Sequence, residues 1–232
     1  MKKTLIWIKD YAYLLYIETI MYLIQNPPEN FLGYPPKKKT PIVIIPGVFG
    51  RWTFLIPIAN YMSLMGYPVY IVPKLGDNTK DIKTSASLVR EVIEKNNLKN
   101  AVIVAHSKGG LIGKYVLLHE NHDSRVSGVI AIATPFHGSS IGNFFPHQAV
   151  AELKPESEII KYLDEHSEVN KKIVSIMPSY DNQVWHKAGS LLEGALANIR
   201  VEHAGHHLVL GDKKVWEKVI EYIEKITSLH QQ

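Results

Sequence analysis

The chain has 232 residues, 46% of them hydrophobic and 21% charged, a balance that suits one globular domain with a sizeable core and excludes large-scale disorder. Its 26 basic against 22 acidic residues leave a net charge of only +4, and the one basic cluster, Lys37-Lys38-Lys39, is short and set among prolines, so no nucleic-acid partner is expected. There is no cysteine, which removes disulfide scaffolds, thiol nucleophiles and cysteine zinc sites together and leaves the redox compartment open.

Residues 1–26 read as an apolar helix. After Lys2-Lys3 comes "TLIWIKDYAYLLYIETIMYLIQNPP", interrupted by Lys9, Asp10 and Glu18. A spanning helix needs about 20 mostly apolar residues, and a signal peptide needs an unbroken apolar core with a small-residue cleavage site. Neither pattern is met. The helix is expected either to pack on its own domain or a second copy, or to lie on a membrane surface through Trp7, Tyr11, Tyr13, Tyr16 and Tyr22. Either way the location is cytoplasmic or peripheral to a membrane rather than secreted. Pro27-Pro28, Gly33 and Pro35-Pro36 make 27–40 a Pro-rich linker.

From Pro41 to the end at 232, short apolar runs alternate with helical periodicity. The predicted strands are 41–46 (PIVIIP), 68–72, 101–105 (AVIVA), 126–133, 172–177 and 198–203, most of them β-branched and apolar on both parities, as in parallel strands covered by helices on both faces. Between them, 52–65, 80–96, 107–119 and 212–228 read as helices. This alternation predicts a doubly wound, mostly parallel α/β sheet. Residues 138–171 break the rhythm and read as a cap or lid insertion over the sheet.

Ser107 falls where a strand ends and a helix begins, in Ala105-His106-Ser107-Lys108-Gly109. This matches G-x-S-x-G with alanine in the first small position. The turn is so sharp that side chains two before and two after the serine would collide with the neighbouring strand and helix, so both must be small. The hydroxyl is then lifted above the sheet edge, where the helix N-terminus favours developing negative charge. The plainer alternative is a helix N-cap.

A nucleophilic serine needs a base and an orienting acid, and on such a corner both follow in chain order, acid then histidine. Asp181 follows the strand 172–177 by four residues, although it is also placed to cap a helix near Trp185. The loop after the last strand supplies His206, with His207 as runner-up; His203 falls on the strand end. Asp212 reads as the N-cap of the last helix, His106 as a packing residue and His137 as a structural loop residue. Oxyanion donors are expected from the backbone N–H of Lys108 and from the turn "PGVFG" (46–50), with Val48 ahead of Phe49. That turn also reads as a simple Pro-Gly connection.

"PGVFG", "VAHSKGG", "ATPFHGSS", "ELKPESEIIKYL", "SYDNQV" and "NIRVEHAGHHLVL", in this order and spacing over residues 41–228, resemble the lipases and esterases of the α/β-hydrolase fold. The likeness is strongest to the small bacterial triacylglycerol lipases with an Ala-His-Ser-x-Gly motif. It implies an α/β-hydrolase fold with Ser107 as nucleophile, Asp181 as acid, His206 as base and the amides of Val48 and Lys108 as oxyanion hole. Two departures stand out: Pro46-Gly47 where His-Gly is common, and Lys108 where Met or Gln is common, which sets a charge beside the nucleophile. The helix 1–25 has no counterpart in the compact lipases.

Metal-binding and phosphate-loop readings fit poorly. A zinc site could be argued from His203, His206 and His207 or from His119-Glu120-Asn121-His122, but the second run is one residue short of H-E-x-x-H, and Gly109 to Lys114 is one residue short of a phosphate loop. No cofactor is expected. The reading is therefore a serine carboxylester hydrolase acting on a small-molecule or lipid ester, with Phe49, Ile141, Phe144 and Phe145 as acyl-contacting residues. The alternatives are a catalytically silent scaffold binding lipid or a partner, and an acyltransferase or thioesterase using the same three residues. Chain-length preference and oligomeric state are not encoded in these motifs.

Overall fold

The computed structural model describes residues 3–24, 26–27, 31 and 39–229; most of the predicted linker 27–40 lies outside the described residues. Six strands form one parallel sheet: β1 (Ile42–Ile45), β2 (Val69–Tyr70), β3 (Ala101–His106), β4 (Val126–Ile132), β5 (Ile173–Met177) and β6 (Ala197–Arg200), in the order β2-β1-β3-β4-β5-β6. All six coincide with predicted strands. β1, β2 and β6 are shorter than predicted, β2 most of all.

Strands β1, β3 and β4 are buried along their whole length, which is why their sequences run as Val, Ile and Ala with little alternation. Successive side chains still point to opposite faces. Val43, Ile45, Ile103 and Ala105 pack with α3 (Ile82–Lys95), α4 (Lys108–Tyr115) and α6 (Glu158–Glu165), whereas Ile42, Ile44, Val102 and Val104 pack with α2 (Ile56–Leu64) and α7 (Lys213–Leu229). Helix α3 starts at Asp81, whose carboxylate accepts the Thr84 N–H at 2.8 Å as an N-cap.

Helix α1 (Lys3–Leu23) is apolar on both sides. Ile6, Asp10 and Ile17 are buried against the domain, while Leu5, Ile8, Leu15 and Tyr16 are exposed. Its inner face meets the turn Trp52–Leu55, where Ile17 packs on Phe54, and the turn Leu208–Gly211 just before α7. Among the described residues no helix is long and apolar enough to cross a membrane.

The chain leaves β1 for β2 on one side and returns to β3 on the other, so the strand order reverses between β1 and β3. In open α/β sheets the crevice at the carboxyl ends of such a pair is where ligands bind. Two connections end there: the turn after β1, residues 46–50, and the corner after β3, which carries Ser107. Residues 138–171 form a short turn (Ser140–Phe144), α5 (Gln148–Ala151) and α6. Leu153, Ile160 and Leu163 of this segment are buried in the α3/α4 side of the core.

Candidate active site

Ser107 occupies the corner between β3 and α4 at φ +52° and ψ −123°, a conformation that costs any residue with a Cβ. Its N–H donates to Ile132 O at 2.9 Å, and its carbonyl accepts from Gly110 N at 3.0 Å and from Thr134 Oγ1 at 2.9 Å. The corner is thus tied to the end of β4 and the segment after it. The side chain makes no capping hydrogen bond to α4. The small residues around it have a steric reason, since a Cβ on Gly109 would come 2.4 Å from Ile45 O and 2.9 Å from Pro46 O. The obstacle there is backbone, which cannot swing aside.

The 46–50 turn lies directly against the serine. A Cβ on Gly47 would stand 3.1 Å from Ser107 Cβ. Asn78, buried, donates from Nδ2 to Pro46 O at 2.7 Å and fixes the start of the turn; Gly50 N closes it onto Gly47 O at 3.2 Å. Val48 and Phe49 form its tip. Lys108 is the first residue of α4, so its amide is one of the donors that helix geometry leaves without an intrahelical partner.

The Lys108 side chain turns out to be fully buried. Its ammonium pairs with Glu152 and donates to Lys80 O at 2.6 Å. Burial pulls the lysine below its ordinary range against the opposing charges of Glu152 and Asp81. The charge that the sequence sets beside the nucleophile therefore ties α4 to the 138–171 segment, and Lys108 is not among the residues lining the cavity over Ser107.

Asp181 lies in the loop after β5 and His206 in the loop after β6. His206 Nδ1 donates to the Asp181 carboxylate at 3.0 and 3.1 Å. Asp181 Oδ1 also accepts the N–H groups of Gln183 at 2.8 Å and Val184 at 2.9 Å, with no helix following. Burial alone would favour both groups neutral. The pairing outweighs it: His206 is raised above its ordinary value, and Asp181 is held below its own by His206 and the two backbone donors. The rest of His206 is also engaged, its N–H donating to Asn182 Oδ1 at 2.9 Å and its carbonyl accepting from His106 Nε2 at 3.0 Å. His106 is buried and, through desolvation and the neighbouring imidazoles, held well below the ordinary histidine value, hence neutral.

The remaining candidates have other partners. His203 Nδ1 meets Asp212 at 3.2 Å, and Asp212 also accepts from Lys214 N at 2.9 Å at the start of α7. His207 Nδ1 donates to Asp10 of α1 at 3.0 Å. His137 bridges Asp164 at 2.9 Å and Leu191 O at 3.1 Å. Among the described residues no set of three ligating side chains converges in a metal-binding cluster.

Ser107 and His206 open onto one cavity of about 210 Å³. Its walls include Val48, Phe49 and Phe54, then Ile141, Phe145, Val150 and Leu153 of the 138–171 segment, and Tyr11, Leu14 and Glu18 of α1. Of the predicted acyl-contacting residues, Phe49, Ile141 and Phe145 line it. Phe144 does not: it is 71% exposed, with its ring edge-on to Trp185 at 5.8 Å. Phe49 meets the His147 ring edge-on at 4.9 Å, joining the 46–50 turn to the segment above it. Sequence reasoning missed the contributions of Asp10, Asn182 and Asn78. Only Asp10 carries any signal, as one of three charged residues, with Lys9 and Glu18, inside the apolar run, and there it reads as an interruption.

No family model matches the chain, and no curated protein does. Solved structures do. The mature form of the Bacillus licheniformis lipase BlEst2 superposes with a TM-score of 0.67 at 17% identity, over 85% of this chain and 96% of that one. Aspergillus fumigatus lipase B gives 0.66 at 16% identity, over 85% of this chain and 55% of that one. An α/β-hydrolase enzyme from the metagenome of lagoon sediments at Mar Chica gives 0.62 at 16% identity, over 83% and 98%. At such identities the likeness is one of fold, and the fold is that of the α/β-hydrolases.

Proposed function

We propose that the protein is a serine carboxylester hydrolase of the lipase and esterase kind, working through an acyl-enzyme on Ser107. His206 Nε2 removes the Ser107 proton as Oγ attacks the ester carbonyl, and Asp181 keeps Nδ1 protonated and the ring oriented. The amides of Val48 and Lys108, with Phe49 as the alternative to Val48, carry the oxyanion. Collapse of the tetrahedral intermediate releases the alcohol, which takes the proton back from His206. A water molecule, deprotonated by the same imidazole, then attacks the acyl-enzyme, and the imidazolium returns that proton to Ser107 Oγ as the acid leaves.

One observation carries this reading: a serine held at positive φ and a histidine bonded to a carboxylate only 10% exposed open onto one cavity. A catalytically silent scaffold gives no account of that convergence. The apolar walls from 138–171, proposed as a cap, favour the acyl chain of a lipid-like ester. Hydrolysis of p-nitrophenyl esters from acetyl to palmitoyl, by the protein and by Ser107→Ala, tests it. Turnover is expected to fall to background in the variant, and the chain-length profile distinguishes esterase from lipase. Turnover surviving in Ser107→Ala would overturn the reading, and turnover of thioesters alone would keep the mechanism while replacing the substrate class.

The outer stripe of α1, with Leu5, Ile8 and Leu15 exposed, supports contact with a lipid surface. In that case Ile8→Lys/Leu15→Lys weakens sedimentation with anionic phospholipid vesicles. Unchanged sedimentation would refute the contact.

A further inference from the structure

Asp10 is a charged residue in the middle of an otherwise apolar helix face, and it is fully buried. An isolated carboxylate in such a place is costly, and docking α1 by its apolar face does not call for one. Every oxygen lone-pair direction is nevertheless used. Oδ1 accepts the N–H groups of His207 at 2.7 Å and Leu208 at 2.9 Å; Oδ2 accepts His207 Nδ1 and Asn182 Nδ2, both at 3.0 Å.

The four donors come from two loops, those carrying Asp181 and His206. In each loop one of two adjacent residues belongs to the Asp181–His206 pair and its neighbour is tied to Asp10: Asp181 beside Asn182, His206 beside His207. Asn182 completes the link by accepting the His206 N–H at 2.9 Å, and the His207 ring stands edge-on to that of His206 at 5.0 Å. The fit is close, since Gly205 sits at φ +112° and a Cβ there would come 2.8 Å from Asp10 Oδ1. Trp7, one turn before Asp10, adds a contact to the acid loop by donating to Tyr180 Oη at 3.2 Å.

We infer that Asp10 is a positioning residue for the reaction: from α1 its carboxylate clamps the Asp181 and His206 loops together and sets the imidazole over Ser107. This rests on the serine-hydrolase reading above. A general base displaced by about 1 Å costs on the order of a hundredfold in rate while leaving substrate contacts intact, so the signature of the clamp is a loss in kcat rather than a rise in KM.

The test compares Asp10→Asn and Asn182→Ala with the full-length protein, each checked for folding by near-UV circular dichroism. Asparagine at 10 keeps the size but turns one oxygen into a donor facing the donors of His207 and Asn182. Asn182→Ala cuts the link to the His206 amide and leaves Asp10 in place. Both are expected to lower kcat for p-nitrophenyl butyrate about 10- to 100-fold with KM within about twofold.

A second readout separates positioning from mere support. The charged groups around His206 are Asp181 and Asp10, with His106 and His207 as its titratable neighbours. Removing the Asp10 charge leaves the imidazolium less favoured, so in Asp10→Asn the acid limb of kcat/KM moves to lower pH. His206 titrated by side-chain 15N NMR follows it, a measurement that needs no turnover. A folded Asp10→Asn with the parental kcat and an unmoved His206 titration would overturn the inference. So would a folded Asn182→Ala of parental kcat, should Asp10→Asn fail to fold. If Ser107→Ala still hydrolyses the ester, the hydrolase reading falls instead, and the NMR titration alone decides whether Asp10 holds His206.

Discussion

Replacing Ser107 by alanine and by glycine separates the loss of the hydroxyl from the strain of the backbone. Both variants lack the hydroxyl, and neither removes a capping bond, because the serine side chain makes none to α4. They differ in the Cβ that Ser107 carries at φ +52° and ψ −123°. Strain of this sort costs about 1–3 kcal/mol, of which glycine's extra freedom in the unfolded chain takes back about 0.4–1 kcal/mol. Ser107→Gly is therefore expected to be about 0.5–2 kcal/mol more stable than Ser107→Ala. For a chain of this length each kcal/mol moves Tm by about 2–4 °C, so calorimetry on the two variants side by side reads a difference of a few degrees, and urea midpoints give the same ordering. A glycine variant no more stable than the alanine one would mean that the corner is unstrained. Nothing in its backbone would then set Ser107 apart from any residue opening a helix.

Further predictions concern the charges around the site. In the proposed mechanism His206 must be neutral to take the Ser107 proton, and Asp181 raises its affinity for a proton, so kcat/KM is expected to fall as the pH drops through that raised value. Asp181→Asn shifts the limb to lower pH and lowers kcat by roughly 10³- to 10⁴-fold; an unshifted limb would dissociate Asp181 from the titration. The same pair contributes to stability in two windows. Because His206 is raised, its share is complete below the ordinary histidine value and is lost as pH rises through the folded value. Because Asp181 is lowered, its share is complete above the ordinary carboxylate value and is lost on acidification. Lys108→Met strands Glu152, itself only 15% exposed, and is expected to cost about 1–3 kcal/mol, less than for a fully buried pair. The double variant with Glu152→Gln recovers most of it, and a urea double-mutant cycle that finds no coupling would refute the clasp.

Much of this arrangement is legible in the sequence because it is locally determined. Strands buried on both faces have to be runs of Val, Ile and Ala, and a corner that brings Gly109 within 2.4 Å of Ile45 O has to have a small residue there. Asp181 and His206 are found by chain order, since the parallel sheet delivers its loops to one edge. The choice between His206 and His207 has no local basis. Both are buried and both donate Nδ1 to a carboxylate; what separates them is that one acid follows β5 and the other comes from α1, 197 positions away. For the same reason Asp10 reads in sequence only as a flaw in an apolar helix, with no feature to set it apart from Lys9, which is exposed. Phe144 fails as a cavity residue because alternation within a short turn gives no guide to which of two adjacent phenylalanines faces inward.

The separation between Asp10 and the loop it holds bears on how the molecule is made. At about 5–20 residues per second, the ribosome needs about 10–40 s to pass from Asp10 to Leu208. Throughout that time α1, apolar on both sides, has only the turn Trp52–Leu55 to settle on, because the turn at Leu208–Gly211 does not yet exist. Until Leu208–Gly211 has been made, the helix is thus a standing invitation to holdase chaperones or to neighbouring nascent chains. The contacts of Asp10 form only once residues 207 and 208 have been made, so a product that stops before β6 carries Ser107 and Asp181 without ever acquiring His206.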